Sequence, residues 1–435
     1  MIYIEKLYCS TRHRDSFTNM DMYSLLQNLY TVWINYHFIL LLLLIIPPPL
    51  IFIQKRGILG TKKLPPGPIR LPVIGNLHQL NGLPHHSIPR LSSKYGPLMF
   101  LQLGSIPTLV VSSADIAREI FTRHDIVFSG RPVLYATKKL GYNSSDLVFA
   151  PYGEYWRQIR KIAVLELLST KKVQSFRNVR EEEVATMIAS IASSRGPIDL
   201  SEMLLLLSND LICRVAFGRK YDKGDNNRKS EFHALLQKTQ NLLGGFMVAD
   251  FFPWLGWIHK LDGQEADLEN IFRQWDEFYD IIIDDHLNPK RPKPELEDLV
   301  DVLLQVQGDP SRCISLSRDQ IKAILTDMFI AGTDTSAATI VWAMTELIKN
   351  PTLMKKAQEE VRQVVGNMET VKESDLPQLK YLRLVVKEAL RLHNPNPLLV
   401  PRETTENCTI LGYDLPAKTR MVSNKVQSPP LPWPA

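Results

Sequence analysis

Apolar positions recur with helical spacing along most of this 435-residue chain. The longest such run, "IKAILTDMFIAGTDTSAATIVWAMTELIK" from Ile321 to Lys349, predicts a helix of about thirty residues. Ser317 with Gln320 makes a capping-box pattern at its start. Asn350-Pro351 ends it and opens the next helix, which closes at Gly366. The centre, A-G-T-D-T-S from Ala331 to Ser336, interrupts the apolar rhythm. Glycine costs about 1 kcal/mol against alanine inside a helix, and threonine and aspartate are also poor there. Threonine can donate to the carbonyl four residues back, which loosens and bends a helix. Gly332 removes bulk where something flat or small could approach the backbone. Asp334 and Thr335 set an acid beside an alcohol at that opening, a pairing able to relay protons. On these residues alone, a surface aspartate and a kink without chemistry would read the same way.

Period-2 runs are short and sit near the two ends. "LMFLQLG" (Leu98 to Gly104) and "TLVVSS" (Thr108 to Ser113) predict strands, and "ENCTILGYDLPAKTRMV" (Glu406 to Val422) a hairpin of short strands. The predicted class is mostly α with small β-sheets. Three further groupings stand out on the helices and loops. In "APYGEYWRQIRKI", Trp156 and Arg160 share a helical face and could clamp a carboxylate or phosphate on a planar ligand; an amphipathic helix anchored by its tryptophan is the plainer reading. In "YLRLVVKEALRLHNP", Glu388 and Arg391 are three apart and able to pair, as many surface residues do. Arg402 emerges from the short extended run "NPLLVPRETTE", where an exposed arginine is the default.

Composition changes this picture mainly by exclusion. With 45% apolar residues, 22% charged and a net charge of +5, the chain is ordinary globular material. The basic residues are dispersed and interleave with no aromatic stripe, so no nucleic-acid partner is expected. Cys9, Cys213, Cys313 and Cys408 are far apart, which disfavours a disulfide framework or zinc site and suits a reducing compartment. No G-x-S-x-G, H-E-x-x-H or P-loop is present. From Met22 to Gln54 there is no Lys, Arg, Asp or Glu, and "FILLLLLIIPPPLIFI" is apolar enough to cross a bilayer, although Pro47 to Pro49 kink or end a helix there. No A-x-A-like cleavage site follows, against a signal peptide. Lys55, Arg56, Lys62 and Lys63 do follow, so the body should face the cytosol behind a single-pass anchor. Pro65-Pro66-Gly67-Pro68 then forms a stiff connector.

Taken in order, the anchor, basic patch, P-P-G-P, W-x-x-x-R, A-G-T-D-T, E-x-x-R and P-R-E resemble one family. The chain is similar to the membrane-bound cytochromes P450, haem-thiolate monooxygenases, and most of all to the plant microsomal kind. "KLPPGPIRLPVIGNLHQL", "KYGPLMFLQLGSIPTLVVSS", "FSGRP" and "FAPYGEYWRQIRK" carry the closer likeness. The resemblance implies a cytochrome P450 fold and a haem b cofactor. It also implies electrons from an NADPH-cytochrome reductase, an endoplasmic-reticulum membrane location and a small apolar substrate of secondary metabolism. By the same resemblance the long helix crosses the distal face of the haem. Ala331 and Gly332 would leave room for dioxygen, and Asp334 with Thr335 would guide protons. Trp156, Arg160 and Arg402 would hold haem propionates, and Glu388 with Arg391 would form the structural pair on the proximal side. Substrate choice would fall to the segments Arg131 to Ala150 and Gly244 to Trp257 and to the long helix. The implied organisation is a polar segment (1–21), an anchor (22–54), a basic, proline-rich hinge (55–68), a catalytic domain (69–424) and a proline-rich tail (425–435).

The likeness stops near Asn424. The family's iron ligand is a cysteine in an F-x-x-G-x-R-x-C-x-G loop, and "KVQSPPLPWPA" has neither loop nor cysteine. Cys9 precedes the anchor, Cys213 sits in a helical apolar run, Cys313 in the polar approach to the long helix, and Cys408 in the hairpin without Gly and Arg neighbours. No axial metal ligand is therefore expected in this chain. The sequence-based expectation is a truncated member without monooxygenase activity. The alternative is a catalytically dead, membrane-tethered binding or regulatory protein.

Overall fold

The computed structural model describes residues 63–220, 226–292, 294–311, 315–366 and 370–423. The expected anchor at 22–54, most of the hinge, the tail at 425–435, Cys9 and Cys313 lie outside the described residues. Among those described, no helix is long and apolar enough to cross a membrane. The P-P-G-P connector is neither helix nor strand. It runs along the first strand, where Phe100 N–H donates to Pro66 O at 2.9 Å. A Cβ on Gly67 would collide with the Phe100 carbonyl oxygen, 2.1 Å away, so only glycine allows this close approach.

Helices dominate. Before the centre they are α1 (Pro84–Tyr95), α2 (Ala114–Arg123), α3 (Tyr135–Leu140), α4 (Glu154–Ile162), α5 (Thr170–Ser175), α6 (Arg177–Ser193), α7 (Leu200–Phe217) and α8 (Asn226–Leu243). There follow α9 (Gln264–Leu287), α10 (Leu299–Gly308), α11 (Arg318–Lys349), α12 (Pro351–Val365) and α13 (Lys380–Leu392). Helix α11 is the spine, 32 residues long and started by the Ser317–Gln320 capping box. It lies against α7, and the main core gathers α4, α7, α9, α10 and α11 around a group of rings. Trp275 stacks on Tyr279 with ring centres 5.7 Å apart, and Phe217 on Phe329 at 6.0 Å. Each such buried ring contributes about 1.5–3 kcal/mol by leaving water. Helices α9 and α11 are also joined by charge: the buried Lys322 ammonium reaches Asp276 at 2.6 Å and Asp280 at 2.8 Å.

The sheets are small. Strands β1 (Leu98–Leu103) and β2 (Ile106–Val111) form an antiparallel pair, and β3 is only Arg402–Glu403. Strands β4 (Cys408–Ile410) and β5 (Tyr413–Leu415) form the expected hairpin. Strand β6 (Arg420–Ser423) does not join it. It inserts between β2, which it pairs in parallel, and β3, giving the order β1-β2-β6-β3. The hairpin expectation for the whole Glu406–Val422 run is corrected accordingly. Met421 and Leu109, in register across β6 and β2, are both buried in one apolar cluster, and that burial draws β6 away from the hairpin. A bridge between Gly130 and Glu403 then brings the loop after α2 against β3.

Candidate functional site

The centre of α11 stays helical through A-G-T-D-T-S. Its threonines bond back up the helix: Thr333 Oγ1 donates to Phe329 O at 2.9 Å, and Thr335 Oγ1 to Ala331 O at 2.8 Å. At Gly332 the structure corrects the expectation of open room beside the backbone. A Cβ there would stand 2.6 Å from Ile212 Cδ1 of α7, so this glycine lets two helices pack closely. The open face at this level belongs to Ala331 and Thr335, one turn apart and both exposed, with Asp334 half-buried beside them.

On α4, Ile159 and Ile162 anchor the inner side in the core. Trp156 and Arg160 do share a face, with the guanidinium 5.1 Å above the indole ring. The indole N–H, however, already donates to Leu147 O at 3.0 Å. Trp156 thus offers a ring and a fixed platform for Arg160 rather than a free donor.

Arg402, on β3, donates to Asp125 Oδ1 at 2.8 Å and lies over the Phe121 ring. Beside it is a residue the sequence reading did not assign as a cation site. Arg131 donates to Val400 O (3.3 Å) and Pro401 O (3.0 Å) and lines a cavity of about 170 Å³ with Arg402. Its pKa is lowered to about 10, first by burial and then by the like charge of Arg402, with Asp146 partly offsetting both. Two guanidiniums facing one small cavity, with the repulsion incompletely offset, form a site whose natural complement is an anion.

Glu388 and Arg391 pair through two hydrogen bonds, Nε to Oε2 at 2.7 Å and Nη2 to Oε1 at 2.5 Å. Helix α13, which carries them, is fastened at both ends. Glu360 of α12 accepts from the Tyr381 and Leu382 amides at 2.7 and 2.9 Å. At the other end His393 stacks on Trp342 of α11, ring centres 3.8 Å apart. Cys213 is buried and Cys408 half-buried, and burial raises both thiol pKa values, so neither is poised as a thiolate. Asp146 and Asp327 were also missed as candidates. A lone acid inside the apolar run Ile324 to Ile330 was the available signal for Asp327.

A protein-family model described as Cytochrome P450 matches residues 65–426. The chain belongs to the cytochrome P450 family. Cytochrome P450 71A9 of Glycine max is 59% identical over 366 residues, covering 83% of this chain and 72% of that protein. Strychnine-11-hydroxylase of Strychnos nux-vomica is 53% identical over 377 residues, covering 86% and 74%. A zebra fish cytochrome P450 structure with progesterone superposes with a TM-score of 0.67 at 26% identity, covering 79% of each chain. Cytochromes P450 are haem monooxygenases, so the family supplies the cofactor and the reaction class. The residues present fit the acidic edge of a haem: Arg131 and Arg402, the latter also paired with Asp125, line one cavity, and Arg160 is held on an aromatic platform.

Proposed function

We propose that this cytochrome P450 is laid out to insert one oxygen atom of O2 into a small apolar substrate of plant secondary metabolism, given an axial thiolate, which neither Cys213 nor Cys408 is poised to supply. It would take electrons from an NADPH-cytochrome reductase, with residues 22–54 holding it at the endoplasmic-reticulum membrane. The main support is the exposed Ala331–Thr335 face of α11 with Asp334 alongside. When bound, the haem iron supplies dioxygen activation and electron transfer. The chain's own residues do the rest. Arg131, Arg402 and Arg160 would hold the haem carboxylates by charge and hydrogen bonding. The Thr335 hydroxyl donates to Ala331 O and keeps lone pairs free to accept. Asp334, reachable from solvent, can pass a proton to Oγ1 as the hydroxyl gives its own to an acceptor bound at the open face, which leaves the threonine neutral. Segments 131–150 and 244–257 meet around a cavity of about 640 Å³, but Lys138, Lys139, Asp250, Glu265 and Glu269 line it and it touches α11 only at Asp319, about three turns from Ala331, so it gives no pocket for an apolar guest at that face.

The test is Thr335→Ala in haem-loaded protein supplied with reductase. Haem should be retained while reduced cofactor is consumed faster than product forms. Unchanged coupling would remove Thr335 and Asp334 from the mechanism.

A further inference from the structure

The segment from Gly141 to Ala150 joins α3 to α4 and passes over α11. Tyr142, Asn143 and Ser144 have φ of 49°, 62° and 59°. Three successive residues with a Cβ in the left-handed region resist that conformation, so something must hold them. At one end the Tyr142 hydroxyl donates to Asp276 Oδ1 at 2.9 Å. At the other, Asp327 of α11 accepts from the amides of Leu147 (2.7 Å) and Val148 (3.1 Å) through a single oxygen, Oδ2. The segment passes the constraint on to α4: Leu147 O accepts from the Trp156 indole, and Ser145 O from the Tyr155 hydroxyl at 2.6 Å. Asp327, Leu147, Trp156 and Arg160 therefore form one continuous line of contacts from the spine helix to the cation on α4.

We propose that Asp327 is a positioning residue, clasping the 145–149 segment to α11 and thereby fixing Trp156 and Arg160. Its consequence for haem rests on the anion-holding role given to that pair above; the clasp itself does not. Burial favours the protonated Asp327 carboxyl, while the two amides it accepts from favour the carboxylate, so protonation sets how strongly the clasp holds. Burial, and then the charge of Asp146, raise the Asp327 pKa well above the ordinary aspartate range. Burial pushes Asp146 up to about 6, partly countered by the Phe149, Ala150 and Val148 amides and by Arg131. The other titratable neighbours, Tyr155 and Tyr279, bring no positive charge, and burial with the nearby acids raises Tyr155 to about 12. A carboxyl whose pKa is raised by folding favours the closed state when protonated. That contribution is complete below the unfolded value of about 4 and is lost as pH rises through the folded values.

The test is hydrogen exchange of the 141–156 region in the full chain, corrected for intrinsic rates. Asp327→Asn keeps an accepting oxygen without charge and should retain the protection of the Leu147 and Val148 amides. Asp327→Leu should lose about tenfold or more. Protection in the wild type should fall as pH rises above the ordinary carboxylate range, with a flatter profile in Asp327→Asn. Loss in Asp327→Asn equal to that in Asp327→Leu, or retention in Asp327→Leu, overturns the clasp. Haem uptake gives the second readout: Asp327→Leu and Trp156→Phe should each weaken it, and the double variant should be no worse than the weaker single. Additive losses refute positioning through Trp156. If exchange behaves as expected and neither single variant alters uptake, the role of Trp156 at the haem fails while the clasp stands.

Discussion

Gly332 shows how one missing methyl group can be misread from sequence. Glycine inside a helix signals close approach, but the signal does not say by what. Here it is Ile212 Cδ1, a side-chain end that can move. Gly332→Ala should therefore lose about 1–3 kcal/mol to overpacking, less the roughly 1 kcal/mol that alanine gains in helix propensity. In an Ile212→Val background, which lacks that carbon but keeps a γ carbon about as near as the 3.1 Å of Cγ1, the loss should shrink. A urea-denaturation double-mutant cycle measures the coupling, and zero coupling would refute the contact. Cysteines make the opposite case. Since burial keeps Cys213 and Cys408 as neutral thiols, serine at either position should leave the haem absorption band where it was. A shifted band in Cys408→Ser would make that residue a ligand. Glu388 and Arg391 were legible because residues three apart on a helix share a face. Arg131 was not, since the carbonyls it bonds lie 269 and 270 positions away.

Elements with local signals were read well. Helix α11 starts at its Ser317 cap and ends before Asn350-Pro351, both visible as short patterns in the chain. Ser317→Ala should lower stability by about 0.5–2 kcal/mol, seen as a lower denaturation midpoint. Elements completed from a distance were opaque. Helix α13 has no side-chain cap of its own at Leu379, and Glu360 of α12 supplies one across 21 positions. Glu360→Ala should cost about 1–2 kcal/mol, and Glu360→Gln less, because an amide oxygen can still accept. Equal losses in the two would mean that charge matters more than the hydrogen bond. The fate of β6 was hidden for the same reason. Its parallel partner β2 lies some three hundred positions earlier, and period-2 alternation carries no information about which strand pairs with which.

At the scale of the molecule, residues near both ends of the described chain meet in one sheet, since β1 and β2 pair with each other and β6 closes on β2. The uncharged run from Met22 to Gln54 is followed, after a short basic stretch, by Pro66, which lies along β1. Tethering to a membrane would therefore act on the sheet end of the body, and the basic residues from Lys55 to Lys63 would then set which side the body occupies. Two sequons make that side measurable. Asn143, in Asn-Ser-Ser, is exposed on a left-handed turn, and Asn407, in Asn-Cys-Thr, is exposed at the entrance to the β4–β5 hairpin. Both are reachable by a glycosylating enzyme, so an unmodified Asn143 would report on compartment rather than on burial. In sealed microsomes the expected result is digestion of everything beyond about Lys55 by added protease, with no mass change on glycosidase treatment. Detergent should be unnecessary for that digestion. A protected body carrying a glycan on Asn143 would place it in the lumen and overturn the charge-based orientation. The same protected body without a glycan would point to inverted vesicles or to a protease-resistant fold, told apart by repeating the digestion in detergent.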